Sequence, residues 1–546
     1  MNGQPQRQEE IIRIIALQAQ NLPLLASGLW FHNDIRDNFY YASYLFAAAA
    51  DAKLQAVLDH PADAKKRAEA VLAVVLKLQQ TDPEQPLYGH FPLNLNPSPD
   101  QAHPHELPVE LMGSLMAYFY SRYESQLNPG LQEGFESALG HIYRGGFYRK
   151  PLQLFNHHEA KYTAAKIIFG QRYEDRKLLE DGIYSLKLTM ERVTTQGMPE
   201  YGALPWFWHW VQAFTSAWEL TSEPAIKRQL ADLLDDLWRE RALFYLKGAW
   251  IGAHSRGWPH DAPADRNVLH DYVQFGDFPL GKVMPRTEYA GLLCYPAPED
   301  ARQRAMEREM PAEVRKQIIK TDTVEEIPLH SYVYVTKDYA AGGIWERVKE
   351  FDNEQIRWMV SFPVTAGPSV NQLYFFHPGE GCRKGDPRHQ SEYAGVLYDK
   401  NRILTIFPVP ADNPHQEVIG VLPLAEWVTG ELGLFGQVQN SYVAILVKGR
   451  YTMDSREGYQ EIRLLGEPAA AAVEVLGPEE ASKLGINSLS ALVERFRSAS
   501  LVLESDTRQT GRLTYRGISN PDILELNVTG TGQAEARKNG EQIQYS

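Results

Sequence analysis

The chain changes character near residue 320, and that change limits the folds open to it more than any other feature. Before that point, apolar residues recur at helical spacing. After it, short alternating segments separated by Gly, Pro, Asn and Asp take over. At 546 residues the chain is too long for one ordinary domain, so at least two unlike domains are expected. Hydrophobic residues at 44% and charged residues at 23% give the balance of a folded globular protein.

The helical half reads as pairs. The pattern predicts helices near residues 8–20, 35–58, 62–80, 108–126, 129–143, 158–169, 175–194, 204–220, 223–246 and 265–275, with Pro or Gly near many of the breaks. Alternate helices differ. Those near 62–80, 129–143, 175–194 and 223–246 carry a charged face, such as Lys65-Lys66-Arg67 or Asp235-Asp236. The others are nearly apolar and rich in small residues, as at Ala164-Ala165, and a helix apolar almost all round is buried. This alternation predicts an incomplete (α/α) toroid, an inner ring of buried helices wrapped by outer ones.

The second half predicts strands near 332–336, 344–349, 356–362, 372–376, 393–397, 403–408, 441–447 and 461–465, and a helix near 488–498. Many short strands with turn residues between them suggest an antiparallel β-sandwich. The expected fold class is therefore α+β and multidomain. The toroid is expected over residues 1–320 and the sandwich over 321–480, with a small β-rich segment over 481–546 completing or capping it.

The charge balance, 55 basic against 69 acidic residues, argues against a nucleic-acid or membrane-surface partner, which needs a basic surface. Two cysteines, Cys294 and Cys382, cannot form a disulfide scaffold. The first residues show no basic segment followed by an apolar one, and no apolar run is long enough to span a bilayer. A cytoplasmic location is the expectation. Oligomeric state is left open.

The aromatic load, 11 Trp, 28 Tyr and 21 Phe, with 16 His, either fills a core or builds a stacking surface. Position along the chain favours the second for part of it. Each expected inner helix follows a loop dense in polar and aromatic side chains. These are residues 30–38 with Asn33 and Arg36, 88–106 with His90 and His105, 155–159 with Asn156 and His157, 199–210 with Glu200, Tyr201, Trp206, Trp208 and His209, and 252–261 with His254 and Arg256. In a toroid the inner helices run parallel, so these loops meet at one mouth. Helix N-termini there favour anions. Trp faces, His and Asn donors and Arg together suit a carbohydrate with hydroxyls and a carboxylate. For Trp208 and Trp210, packing in the core is the stronger expectation. His157-His158-Glu159 is no metal motif, because adjacent residues point different ways, and no HExxH or paired CxxC occurs. No cofactor and no metal are expected.

Toroid followed by sandwich resembles the polysaccharide lyase superfamily that includes heparinase II/III-like, chondroitin AC-type and oligoalginate lyases. Asn156-His157 at the start of an inner helix looks like that family's Asn-His pair, which neutralises a uronate carboxylate and assists proton transfer. Gly197-Met198-Pro199-Glu200, followed by Trp208-His209-Trp210, looks like its Asp-Gly-Ser-x-Pro-Glu segment and downstream Trp-x-Tyr. The last position of that segment departs from the family. Its catalytic tyrosine is replaced here by Trp210, which is neither acid nor base.

The resemblance implies β-elimination of an acidic oligosaccharide or polysaccharide. A base takes the proton alpha to the uronate carboxylate, an acid protonates the leaving glycosidic oxygen, and fixed donors neutralise the carboxylate. The expected roles are Asn156 and His157 on the carboxylate, Tyr201 or His209 as base or acid, and His254 as the other partner. Arg256 meets substrate charge, with Asn33, Arg36, Glu200, Trp206 and Trp208 lining the binding site. Two rivals stand beside this. A glycoside hydrolase on the same toroid would need two carboxylates, for which Asp34, Asp37, Glu159, Glu200 and Asp261 are available. A non-catalytic carbohydrate-binding protein would need neither.

Overall fold

The computed structural model describes residues 3–257, 263–281, 288–321, 326–349, 354–530 and 533–545. Its helical half contains α1 (Gln4–Asn21), α2 (Ile35–Ala50), α3 (Pro61–Lys77), α4 (Glu106–Tyr123), α5 (Pro129–Gly145), α6 (His157–Arg172), α7 (Arg176–Gln196), α8 (Leu204–Leu220) and α9 (Pro224–Leu243). Side-chain oxygens of Asp34, Asn128, Asn156 and Asp175 cap the N-termini of α2, α5, α6 and α7, satisfying N–H groups that have no partner within the helix.

Burial divides these helices as the charge pattern predicts. In α8, 13 of 17 residues are buried, whereas α7 buries 6 of 21 along a single face. Helices α2, α4, α6 and α8 form the inner series, each packed on the next, and α3, α5, α7 and α9 each lie against the inner helix that precedes them. The short α10 (Leu269–Gln274) packs against α1, which in turn packs against α2. Tyr289 is fully buried at the middle of the ring, against Phe39, Tyr40, Tyr44 and Tyr118. Much of the Tyr and Phe content is therefore core.

The second half is antiparallel. Strand follows strand in space from Glu426–Gly430 through Gly433–Val438, Ser441–Arg456, Tyr459–Leu476, Val418–Pro423, Gln372–Phe376, Trp358–Ser361, Ala340–Ile344 and Glu326–Val335 to Ala312–Thr321. Strand Tyr459–Leu476 pairs with Val418–Pro423 over its first part and with Arg402–Phe407 over its last, so one long strand serves both branches of the sheet. A further sheet begins at Ser500–Thr507, and its Leu513, Leu524, Leu526 and Val528 join the same apolar core. The buried carboxylate of Glu474 ties it down by accepting from the Tyr515 hydroxyl and the Ser519 N–H. The toroid-plus-sandwich class expected from the sequence is the class observed.

Local boundaries differ where polar side chains intervene. Helix α2 stops at Ala50 rather than continuing to 58, with a short 3-10 turn at Gln55–Val57 beyond it. The strand expected at 344–349 ends where it should begin, at Ile344. Beyond it the Glu346 carboxylate turns back to bind the N–H and Nδ1 of His330. The helix expected at 265–275 shrinks to Leu269–Gln274. Ala312–Thr321 was not expected as a strand, since its Arg315, Lys316 and Gln317 mask the alternation.

Candidate active site

The first turn of α6 carries the densest chemistry. Phe155 enters it with φ +50, a left-handed conformation unusual for a residue with a side chain. The Glu159 carboxylate fixes this turn by accepting the N–H groups of Gln153, Leu154 and Phe155. Asn156 Oδ1 accepts from the N–H groups of His158 and Glu159, and its Nδ2 takes no hydrogen-bond partner among the described residues.

Glu200 reaches this turn from the loop before α8. Gly202 (φ +66) lets that loop lie against the next one, where a Cβ would stand 2.2 Å from the Ala253 carbonyl. Three N–H donors converge on the Glu200 carboxylate: His157 Nδ1 at 2.5 Å, the His157 backbone N at 2.7 Å and Trp210 Nε1 at 2.9 Å. A carboxylate accepting at Nδ1 leaves the imidazole proton there and leaves Nε2 bare. His157 Nε2 has no hydrogen-bond partner among the described residues. Burial, and then the neighbours Lys161, His158 and Arg256, hold this imidazole well below its ordinary pKa against the opposite pull of Glu110. It is neutral at neutral pH.

Beside it stands a second His–Glu pair. His158 Nδ1 lies 2.7 Å from Glu110 Oε2, and the two histidine rings are 4.0 Å apart. Lys161 Nζ, buried, pairs with the same oxygen at 2.6 Å, and the Tyr162 hydroxyl donates to Oε1 at 2.8 Å. Burial would raise the Glu110 pKa, but Lys161 and His158 outweigh it and hold the carboxyl far below its usual range.

On the other side, the Trp206 ring meets His157 edge-on at 5.5 Å, and the Arg256 guanidinium lies 4.4 Å above the Trp206 ring. Arg256 Nε pairs with Glu354 Oε2 at 3.3 Å. Glu354 also receives Arg388, which donates to the Gly257 carbonyl as well. The sheet half thus props the loop that presents Arg256. The His209 ring is 5.6 Å from His157 and lines a small niche with Tyr40, Leu111, Pro205, Gln212, Asn267 and Glu288.

A solved chondroitin AC lyase from Streptomyces coelicolor, in complex with chondroitin sulphate, superposes with a TM-score of 0.51 at 10% identity, covering 98% of this chain and 88% of that one. The chain has the toroid-plus-sandwich fold of these polysaccharide lyases. A heparinase III structure is also similar, with a TM-score of 0.47 at 11% identity over 92% of this chain and 83% of that one. No protein-family model matches the chain, and no curated protein sequence does.

Within this lyase fold, the residues singled out by sequence fall into two groups. Asn156, His157, Glu200, Trp206, His209 and Arg256 come together around the start of α6. Asn33 is exposed at the mouth, bonded to Asn96, and Arg36 is paired with Asp34, the cap of its own helix. Three expectations are corrected. Tyr201 packs among Ala253, Ile318, Leu329 and Ile344, and its hydroxyl accepts from Gln355. Burial raises its pKa, which suits an interdomain contact and not a base. His254 is fully buried in a bridge to Ile356, beside Asp265 and Gln372, and does not join the cluster at the start of α6. Trp208 is fully buried against Trp238 and His270, with its N–H on the Asn267 carbonyl, so it is core and lines no binding site. Asp261 lies outside the described residues, as do Trp258 and His260 of the same loop. Among the described residues no group of three or more His, Cys, Asp and Glu is arranged to hold a metal ion.

Sequence reasoning missed Glu110 and Lys161. The signal was present, because a carboxylate and an ammonium in two nearly apolar inner helices are expected to be paired when buried.

Proposed function

We propose that this chain is a polysaccharide lyase that cleaves a uronate-containing glycan by β-elimination. The observation that carries the reading is the neutral His157, with Nδ1 clamped by Glu200 and no partner for Nε2 among the described residues, next to the similarly unengaged Nδ2 of Asn156 at a helix N-terminus. The Asn156 Nδ2 group and Arg256 hold the substrate carboxylate and draw off the charge that grows on it. His157 Nε2 takes the alpha proton, and Glu200 steadies the resulting imidazolium. The carbon–hydrogen bond pair becomes the new double bond, the bond to the glycosidic oxygen breaks, and that oxygen takes a proton from His209. The fold of the chondroitin AC lyase agrees with this reading.

The rival hydrolase reading needs two carboxylates free for acid and base work. Asp34, Glu159 and Glu200 are each engaged, by Arg36, by turn N–H groups and by the His157 and Trp210 donors. Products separate the two reactions. Elimination across a panel of uronate glycans creates a conjugated double bond that absorbs in the ultraviolet. Hydrolysis creates a reducing end without it. A finer part of the proposal is exo action on short oligosaccharides, which rests on the expected cytoplasmic location. Stepwise loss of terminal sugars from a defined oligomer supports it, and a spread of internal fragments refutes it.

A further inference from the structure

Trp210, which the motif resemblance sets at the position of a tyrosine, is bonded to the Glu200–His157 pair. Its indole Nε1 donates to Glu200 Oε2 at 2.9 Å, and the same oxygen accepts the His157 backbone N–H at 2.7 Å. The other oxygen holds His157 Nδ1 at 2.5 Å. Trp210 is fully buried and packs on Phe214. A carboxylate with only one firm donor can rotate and offer either oxygen. With Oε2 held by two N–H groups on fixed elements, Oε1 is left aimed at Nδ1.

We propose that Trp210 is a positioning residue, whose N–H locks the Glu200 carboxylate so that His157 stays protonated at Nδ1 and bare at Nε2. This deepens the lyase reading and rests on it for its catalytic meaning, but the tautomer itself does not depend on any substrate.

The groups facing His157 are Glu200 from the loop before α8, Trp206 and His209 on α8, and His158 and Lys161 on α6. Glu110 on α4 and Arg256 complete the set. Loss of the Trp210 donor leaves the Glu200 charge less satisfied. It then attracts a proton on His157 more strongly, so the imidazole titrates at higher pH than in the parent protein.

The test is the nitrogen-15 spectrum of the histidine side chains in the full chain, with His157 assigned by its loss in His157→Gln. The parent protein is expected to show a single Nδ1-protonated form at neutral pH. Trp210→Phe keeps a ring and removes the donor. It is expected to give a mixture of tautomers and an upward shift of the His157 titration. Trp210→Gln keeps an N–H donor without the ring and is expected to retain the parent signature. Packing alone predicts the opposite order, with Phe tolerated and Gln disruptive. A parent-like spectrum in Trp210→Phe, or mixed tautomers in a folded Trp210→Gln, overturns the proposal. If the spectra behave as expected while no uronate glycan is eliminated, the clamp stands and the lyase reading falls.

Discussion

His157 and His158 are neighbours in the chain with rings 4.0 Å apart, yet each Nδ1 is held by a different glutamate, Glu200 for the first and Glu110 for the second. The pairing turns two adjacent residues into two distinct groups. His157 is buried and neutral, facing Trp206 and His209, while His158 is anchored to a buried ion pair with Lys161.

Replacement of His157 by Gln removes the base while keeping a polar side chain of similar reach. We expect turnover to fall by about 10²–10⁴-fold with KM little changed, the range found when a positioned acid or base is lost. Steady-state kinetics on a uronate oligosaccharide check this.

Arg256→Ala acts on binding. The guanidinium covers Trp206 and pairs with Glu354, which keeps Arg388 when Arg256 is gone. A charge-assisted hydrogen bond to a substrate carboxylate is worth about 1.5–3 kcal/mol, so KM is expected to rise by roughly 10–100-fold. Arg256→Lys is expected to recover only part of this, because an ammonium neither stacks flat nor binds a carboxylate through two parallel donors.

Trp208→Ala separates the two tryptophans. Its ring is fully buried and its N–H is bonded to Asn267, so the variant is expected to lose about 3–5 kcal/mol of stability. Activity per folded molecule is expected to stay unchanged, as measured by denaturation and by kinetics on the folded fraction.

Glu110 makes stability depend on acid. Its carboxyl pKa in the fold lies below its unfolded value, since Lys161 and His158 outweigh burial. The stabilisation is therefore complete above the unfolded carboxyl range, about pH 4–5, and is lost as pH falls below it. His157 adds to the same trend at higher pH. Its pKa is lowered by folding, so its contribution is full above about 6.5 and declines as pH drops below that. Urea unfolding between pH 7 and 3 is expected to show this fall. The part below pH 5 is expected to be smaller in Glu110→Gln, which is less stable throughout because Lys161 loses its partner.

Much of the fold was legible in the sequence because burial leaves a pattern. The charged faces of α3, α5, α7 and α9 marked outer helices, and the small apolar residues of α2, α6 and α8 marked inner ones. The start of α6 was legible too, as an Asn cap followed by His. Tyr201 and His254 were misread for a shared reason. Both lie in mouth loops, but a loop has two sides, and theirs faces the sheet through Gln355 and Ile356, residues far along the chain. Trp208 and Trp210 sit two apart on α8 and point to different neighbours, Asn267 and Glu200. No periodicity distinguishes those environments.

The most direct test is ultraviolet absorbance during incubation of the parent protein and of His157→Gln with uronate-containing glycans. The parent protein is expected to generate the unsaturated-uronate chromophore, and His157→Gln to bind the same glycan while producing almost none. Cleavage by the parent without the chromophore, or undiminished chromophore from His157→Gln, would contradict elimination by this histidine.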